Sequence, residues 1–425
     1  MNVRRTVAAL SVSAALCGAA VAPAASADDS ARPKGLYGAK DPKFDGVWRQ
    51  SLALLAQDAV GVTPAKSAVD WLAGQQCADG GFAAYRADPA KACGPKTGEF
   101  TDATSAAVQA LAAVGGRSDA VEKGIGWLKR NQNDDGGWGM NPGGPSDANS
   151  TSVAVGAFAA AAQDPAKTAS AKGRKSPYDA LLGLQLGCAA KTGQRGAFAY
   201  QPDKSGDKDK LAANNMATVS AALATQGKGF VFETVGKDNH RNPKPLDCKD
   251  AGRARTPQDA TEAALAHLSL TLSAHDMRLM SSMAGATDQP DFGATADAVV
   301  ALAAGEHSAA AGKPLHWLQS KDSGAAAWSK GEPGALAKLI LAAHAAGGDP
   351  RDFGGVDLVR QLNATGPKPE AAAGSGAESA TKDKKDDGDG DDNGGMNSVW
   401  WIVGAGAAAG MGIGFLLSGR KKQRL

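Results

Sequence analysis

Apolar residues recur at helical spacing along most of this 425-residue chain, and the helical segments are of two types. One type, such as residues 119–131, has charged residues on one side. The other type, such as residues 102–115, is rich in alanine and apolar on almost every side. A helix with one polar face lies at the protein surface, whereas a helix without a polar face must be surrounded by protein. The pattern therefore predicts an outer and an inner layer of helices.

The two types alternate along the chain, which predicts six helices of each. We expect outer helices near residues 65–75, 119–131, 176–187, 257–271, 310–320 and 353–364. We expect inner helices near residues 46–60, 102–115, 148–162, 214–226, 294–305 and 333–346. Small alanine side chains allow inner helices to pack closely around a narrow axis. The predicted fold class is all-α, a single closed (α/α)6 barrel.

The outer helices end in a repeated phrase, Trp-Leu followed by Gln and an acidic Gly-Gly-aromatic turn. The motif reads WLAGQQCADGGFAAY from Trp71 and WLKRNQNDDGGWGM from Trp127. Less regular copies begin at Leu181 and His316. The glutamine can bond the free carbonyls of the helix end, and the glycines permit the left-handed backbone that stops a helix. The aromatic residue then closes over that end. We interpret four residues as structural staples of these turns: Gln76, Phe82, Gln132 and Trp138.

These turns resemble the QW repeats of squalene and hopene cyclases. Over roughly residues 44–366 the chain resembles the α/α-toroid superfamily of terpenoid cyclases, protein prenyltransferases and the cobalamin carriers transcobalamin and intrinsic factor. The resemblance implies a single toroid and says less about activity. Residues 44–366 contain no D-x-D-D acid motif, and Val299 stands where a prenyltransferase has its zinc-binding thiolate. We therefore assign no catalytic residue and no metal ligand.

The start of each predicted inner helix carries more polar side chains than one helix cap requires. The resemblance to cobalamin carriers implies ligand contacts at this rim for Asp102, Asp147, Asn149, Asn215 and Asp297, and Thr104 belongs to the same set. Helix capping is the alternative interpretation. Three aromatic residues just beyond the turns offer a flat apolar surface to a ligand, or pack the loops: Tyr85, Tyr200 and Trp328.

Both ends of the chain predict export and membrane anchoring. Residues 1–27 have the basic start, the apolar stretch and the Ala-Ser-Ala cleavage site of a signal peptide. Residues 28–43 then form an N-terminal extension. Residues 398–419 are long and apolar enough to form a transmembrane helix, and the basic tail 420–425 favours a cytoplasmic C-terminus. The prediction is a single-pass protein of the cell membrane with an extracellular body. A sortase-like LNATG signal at residues 362–366 is a weaker alternative for the C-terminus.

Residues 367–397 are rich in Gly, Ala and charged residues, which predicts a disordered tether. A D-x-D-D sequence occurs within it at residues 389–392. A general acid needs a dry pocket, so we interpret this sequence as composition. The small residues Gly406, Gly410 and Gly414 form a ridge along the anchor that favours homodimers, or packs poorly against lipid.

Four of the five cysteines remain after removal of the signal peptide, an even number in an oxidising compartment. Three pairings are possible, and the local one joins Cys77 to Cys93 and Cys188 to Cys248. Metal binding is a weaker alternative, because the chain has no C-x-x-C motif and the histidine nearest to Cys248 has no second histidine at ligand spacing.

A net charge of only +2 without a basic stripe argues against nucleic acid as a partner. We expect a membrane-tethered binding protein that captures a bulky, partly apolar small molecule outside the cell for delivery to a transporter, and a corrinoid is one candidate ligand. We expect no other cofactor. A divergent terpenoid cyclase or prenyltransferase-like enzyme is one alternative, and a module that binds a protein or the cell wall is another.

Overall fold

The computed structural model describes residues 33–94, 96–202, 211–230, 241–249, 255–282 and 287–371. These ranges contain α-helices and no β-strand, only isolated β-bridges, which confirms the all-α class for the described residues. The helices are α1 (Gly46–Ala59), α2 (Lys66–Gly74), α3 (Thr101–Val114), α4 (Ser118–Arg130), α5 (Ala148–Ala160), α6 (Pro177–Leu184), α7 (Asn215–Ala224), α8 (Pro257–Ala274), α9 (Phe292–Ala304), α10 (Ser308–Gln319), α11 (Ala325–Ser329), α12 (Pro333–Ala345) and α13 (Leu358–Asn363).

Six alanine-rich helices pack in a closed circuit, and we call them the inner helices. The packed pairs are α1 with α3, α3 with α5, α5 with α7, α7 with α9, α9 with α12, and α12 with α1. Each remaining long helix packs against the inner helix before it: α2 on α1, α4 on α3, α6 on α5, α8 on α7, α10 on α9 and α13 on α12. The alternation predicted from the sequence is therefore present.

The inner helices are buried on most sides, as their composition requires, and α9 shows this most fully. In α9, residues Ala298, Val299, Ala301 and Leu302 are consecutive or nearly so and all fully buried. Because neighbouring residues on a helix point about 100° apart, their burial means that protein surrounds the helix. In the outer helix α4, only residues 124, 125, 127 and 128 are buried, which is one face.

The starts of neighbouring inner helices lie at one end of the circuit, which we call the rim. The backbone N–H of Val47 donates to the carbonyl of Ala84, in the loop that leads to α3, at 2.9 Å. The next steps repeat this contact: Thr101 N–H donates to Met140 O at 3.0 Å, and Ala148 N–H donates to Tyr200 O at 2.9 Å. Helix starts are thus held by the loop that precedes the next inner helix.

Several helix bounds differ from those expected. Helix α9 begins two residues early, at Phe292, because the side chain of Asp291 caps it by accepting the N–H of Ala294. Helix α8 runs to Ala274, and the short helix α11 was not predicted. Capping boxes with proline in the first turn start α6 at Ser176 and α8 at Thr256.

Part of the predicted N-terminal extension packs into the body. Tyr37 is fully buried, and its hydroxyl donates to the carbonyl of Pro367 at 3.1 Å and accepts from the Gln57 side chain at 3.0 Å. The N–H of Gly38 donates to the carbonyl of Thr365 at 2.9 Å. One buried tyrosine therefore joins both ends of the helical body, so the body begins before residue 44.

Two disulfides join Cys77 to Cys93 and Cys188 to Cys248, the local pairing of the three. The first closes the loop between α2 and α3, and the second joins the loop before α7 to the segment after α7. The loop closed by Cys188 and Cys248 includes α7, since these cysteines are 60 residues apart.

The predicted signal peptide 1–27, most of the tether 367–397, the anchor 398–419 and the tail 420–425 lie outside the described residues. Among the helices that are described, none has the length and apolar character needed to cross a bilayer.

Residues 226–230, which we call the strap, cross the circuit at the ends of the inner helices opposite to the rim. The Gln226 side-chain amide donates to Ala301 O at 3.2 Å, and the Lys228 ammonium donates to Ala304 O at 2.6 Å, both in α9. At Gly229 the strap touches Gly156 of α5 so closely that a Cβ on Gly229 would lie 2.6 Å from the Cα of Gly156.

We expect Gly229→Ala to lower the free energy of unfolding by about 1–3 kcal/mol, because the added methyl group would collide with the backbone of Gly156, which cannot easily move away. Urea denaturation followed by circular dichroism measures this. Gly74→Ala is the matched control: Gly74 is the last residue of α2 with open space around it, so alanine should not destabilise it. Equal stability of the Gly229→Ala variant and the wild type would contradict the observed position of the strap.

Candidate ligand site

The turn glutamines bond within their own turn, to an outer helix, or to both. The Gln76 amide nitrogen donates to Gly80 O at 3.0 Å and to Ala120 O of α4 at 2.8 Å. Gln132 donates to Gly136 O at 2.8 Å, and Gln185 of a less regular copy donates to Ala260 O of α8 at 2.9 Å. The expected bonds to carbonyls of the glutamine's own helix are absent among the described residues. The staple instead connects its turn to a later segment of the outer layer.

A threonine of the inner helix holds the residue that closes each turn. The backbone N–H of Phe82 donates to Thr104 Oγ1 at 2.9 Å, and the N–H of Trp138 donates to Thr151 Oγ1 at 3.0 Å. Two more repeats have the same bond: Phe198 N–H to Thr218 Oγ1 at 2.9 Å, and Leu279 N–H to Thr295 Oγ1 at 3.0 Å. Thr104 is fully buried in this bond, away from the cavity described next.

A cavity of about 240 Å³ lies between the inner helices, and all six contribute side chains to it. Helices α5 and α7 each present one face at helical spacing, with residues 149, 152 and 153 of α5 and residues 216, 219, 220 and 223 of α7. Trp48 of α1 and Val300 of α9 add apolar wall, and Gln109 of α3 and Phe230 of the strap also contribute. The rings of Trp48 and Phe230 meet edge to face with centroids 6.1 Å apart.

The mouth of the cavity is polar and acidic. Asp102, Asp147, Asn149 and Tyr200 line it at the starts of the inner helices and in the loop before α7. Asp147 caps α5, since its carboxylate accepts the Ser150 N–H at 2.8 Å and the Ser150 hydroxyl at 2.7 Å. Asp102 lies inside the first turn of α3, and its carboxylate accepts the Ala103 N–H at 2.7 Å.

Deeper in the cavity two lysines meet partners from α9. Lys338 of α12 forms an ion pair with Asp297. The Lys228 ammonium donates to the carbonyl of Ala304, the last residue of α9. Two residues further along the strap, the Phe230 N–H donates to the side-chain carbonyl of Gln109 at 2.8 Å. The cavity is therefore acidic at the mouth and closed by the strap at the other end.

Burial sets the direction of the pKa shifts in the site. Burial raises the pKa of the Asp102 and Asp147 carboxyls above the ordinary value for Asp. The hydrogen bonds that these carboxyls accept from backbone N–H groups partly oppose this rise. The pKa of Tyr200 is raised by burial and then by the negative charges of Asp147 and Asp102. Burial lowers the pKa of Lys228.

Four of the sequence-predicted contacts lie away from the cavity lining: Thr104, described above, and three others. Tyr85 stacks on Trp71, with ring centroids 6.4 Å apart, and Trp328 packs against Phe292 at 5.5 Å. Asn215 is the first residue of α7, next to the cap Asn214, and does not line the cavity. Five predicted residues do line it: Asp102, Asp147, Asn149, Tyr200 and Asp297.

Several residues of the site were not predicted from the sequence. On α5, Ser152 and Val153 follow Asn149 at helical spacing, which was a usable signal. Lys228 and Phe230 come from the strap, and no local pattern indicates that they reach the axis. Metal-binding side chains do not cluster in the cavity: within the described ranges the one group of three or more consists of Cys77, Cys93 and Glu99, whose cysteines form a disulfide.

Comparisons with known proteins leave the family open. No protein-family model matches the chain, and no curated protein matches it. Among solved structures, a protein from Actinoplanes is 16% identical, with a TM-score of 0.43, over 73% of this chain and 92% of that one. A sugar epimerase from a ruminal bacterium is 14% identical, with a TM-score of 0.39, over 68% and 80%.

Type II terpene cyclases also occur among the structural neighbours at low identity. One from Scytonema, in complex with its product merosterolic acid A, is 15% identical over 70% of this chain and 98% of that one, with a TM-score of 0.30. Similarity at these levels assigns no activity, so the site must be interpreted from its own residues.

We expect Thr151→Val to lower the free energy of unfolding by about 1–3 kcal/mol, because valine fills the same space but leaves the buried Trp138 N–H without its acceptor. Chemical denaturation measures the loss. Thr151→Ser keeps the hydroxyl and should lose less stability than Thr151→Val. The opposite order would show that the methyl group, and not the hydrogen bond, holds the turn.

The raised pKa of Asp102 has a consequence for stability. The folded protein binds this proton more tightly than the unfolded chain, so the stabilisation is present below the ordinary Asp pKa and is lost as pH rises through the raised pKa. We therefore expect Asp102→Asn to be more stable than the wild type at pH 7, with the gain shrinking as pH falls to about 4. Urea denaturation at several pH values measures it.

Asp70 is the control of opposite sign, because bonding to Lys66 lowers the pKa of this exposed carboxyl. Asp70→Asn should lose stability at pH 7, and the loss should vanish as the wild-type carboxyl is protonated in acid. Changes of equal sign in both variants would contradict the shift at Asp102.

Proposed function

We propose that this chain binds a small, partly apolar molecule in the axial cavity of an (α/α)6 toroid. The observation that supports this most directly is the lining of the cavity, to which every inner helix contributes at least one side chain. Ligand sites are commonly apolar clefts with a few placed polar groups. Here the wall is apolar, and the polar groups converge on the mouth.

The surroundings of the mouth favour entry of an apolar ligand. Three of the exposed large hydrophobic residues of the described chain are at or beside the cavity: Met140 at 49% exposure, Met216 at 46% and Tyr200 at 39%. Exposing such side chains to water is unfavourable unless they serve a contact. Methionine is flexible and polarisable, so two methionines offer an adaptable apolar entrance.

The size of the cavity favours a ligand smaller than a corrinoid. Its volume of about 240 Å³ lies below the roughly 300–1,000 Å³ of sites for drug-sized ligands. We keep the corrinoid as a hypothesis that requires the strap or the mouth loops to move. A ligand with one ring or a short aliphatic body fits the cavity as it stands.

The rest of the proposal concerns the ends of the chain. The signal peptide, tether and transmembrane anchor predicted from the sequence would place the cavity outside the cell on a single-pass protein of the cell membrane. The two disulfides agree with an oxidising environment. A receptor of this kind would pass its ligand to a transporter, and the glycine ridge of the anchor would allow dimers.

A divergent terpenoid cyclase is the second candidate, favoured by one observation. Asp102 and Asp147 are carboxyls with a raised pKa at the mouth of an apolar cavity, and a general acid requires such a setting. Turnover of a polyprenyl substrate that disappears in Asp102→Asn would favour the enzyme over the binding protein.

The experiment that tests binding is mass spectrometry, under non-denaturing conditions, of the full chain purified from its native host. We expect the wild type to carry a small molecule and Ser220→Phe to lose it, because Ser220 lines the cavity and a phenyl ring would fill that space. Leu270→Phe is the control, since Leu270 is 67% exposed on the outer helix α8.

A small molecule that is retained equally by both variants would place the ligand outside the cavity. A wild-type chain that carries nothing, yet is recovered with one wall or membrane protein, would favour the interaction module instead.

A further inference from the structure

We propose that the ligand of the axial cavity carries a positively charged amine, which the carboxylates of Asp102 and Asp147 receive at the mouth. This inference rests on the proposed function and adds the chemical class of the ligand. The charges of the cavity, the hydrogen bonds that its polar groups already make and its aromatic wall lead to it.

The charges of the cavity do not cancel at the mouth. Its lining contains three carboxyls, at Asp102, Asp147 and Asp297, and two ammonium groups, at Lys228 and Lys338. Lys338 forms an ion pair with Asp297, and this pair has no net charge. Lys228 donates to the last residue of α9, Ala304, at the end opposite to the rim.

Asp102 and Asp147 have no such partner within the part of the chain that the structure describes. Among the described residues, no lysine, arginine or histidine forms an ion pair with either carboxyl, although both side chains are largely shielded from water. A buried carboxylate without a counter-ion is costly, and a cationic ligand removes that cost. Capping accounts for Asp147, whereas Asp102 lies after the helix start and does not serve as a cap.

A second observation points to a ligand at the same place. The Ser152 side chain lines the cavity, is only 5% exposed, and its hydroxyl has no hydrogen-bond partner among the described residues. Asn149, one turn nearer the rim on the same helix, has a buried Oδ1 that likewise accepts nothing there. An ammonium group has three N–H donors, and these oxygens are acceptors beside the carboxylates.

The side chains of the cavity wall favour an organic amine over a metal ion as the ligand. Besides the two carboxyls, the described residues place no third metal-binding side chain close enough to form a cluster here. The cavity instead has the rings of Trp48, Phe230 and Tyr200, and aromatic faces attract organic cations. A metal ion would use none of this surface, whereas an amine on an apolar body uses both the carboxylates and the rings.

The test compares three probes that share a phenyl ring and differ in charge: phenethylamine, 2-phenylethanol and phenylacetate. Calorimetric titration of the full chain at pH 7 should show phenethylamine binding at least about tenfold more tightly than 2-phenylethanol, since a hydrogen bond to a charged group is stronger than a neutral one. Phenylacetate should bind most weakly of the three. Millimolar Ca²⁺ should not displace phenethylamine.

Two variants locate the charge. Asp102→Asn should remove the preference for the amine, and Asp147→Asn should reduce it while keeping the helix cap, since asparagine caps as well as aspartate. Asp70→Asn is the matched control, because this exposed carboxyl lies on the outer helix α2 and does not line the cavity. Binding of 2-phenylethanol should be similar in the wild type and in these variants, which shows that each variant is folded.

The outcomes separate this inference from the proposed function. Binding of the alcohol or of phenylacetate as tight as that of the amine would overturn the cationic class and leave the binding site standing. Displacement by Ca²⁺ would replace the amine by a metal ion. Binding by none of the three probes would overturn the inference, while a molecule that co-purifies with the wild type and is lost in Ser220→Phe would still support a binding protein.

Discussion

The structure depends on one constraint: helices without a polar face must be enclosed by protein. Six such helices satisfy it together by packing into a closed circuit, with α12 returning to α1. Each then has inner neighbours on two sides, an outer helix on the third and the axis on the fourth. Alanine side chains allow this packing, and the axis is too wide for them to fill. A cavity is therefore a direct consequence of the packing, and its chemistry depends on the few larger or polar residues that face it.

Threonine hydroxyls join this packing to the loops. Thr104, Thr151, Thr218 and Thr295 each accept the N–H of a turn residue, so a buried backbone group is satisfied and the turn is fixed above its inner helix. The glutamines fix the same turns to the outer layer. With the loops held from both sides, the carboxyls at the mouth have defined positions. Preorganisation of this kind reduces the ordering that a ligand would otherwise require.

The strap gives the cavity its second end. Its contact with α5 at Gly156 and Gly229 requires glycine on both sides, and its bonds to α9 hold Lys228 away from the acidic mouth. Charges of opposite sign are thus separated along the axis. The mouth remains acidic for this reason, and a cationic group on an apolar body matches that distribution better than a neutral or anionic one.

The helical class, the alternation of the two layers and the polar helix starts could be predicted from the sequence, because they follow from helical periodicity. The sequence favoured the local disulfide pairing but left three pairings possible, and the structure has the local one. Asp102, Asp147, Asn149 and Asp297 were predicted at the rim, and all four line the cavity, with Asp297 deeper than the other three. Thr104 was assigned to the same surface, but two residues along a helix turn the side chain by about 200°. The tertiary structure was needed to show that Tyr85 packs against Trp71 of α2, that Trp328 packs against Phe292 at the start of α9, and that Lys228 and Phe230 reach the axis. Those positions depend on contacts between segments far apart in the chain, and no local pattern of residues specifies such contacts.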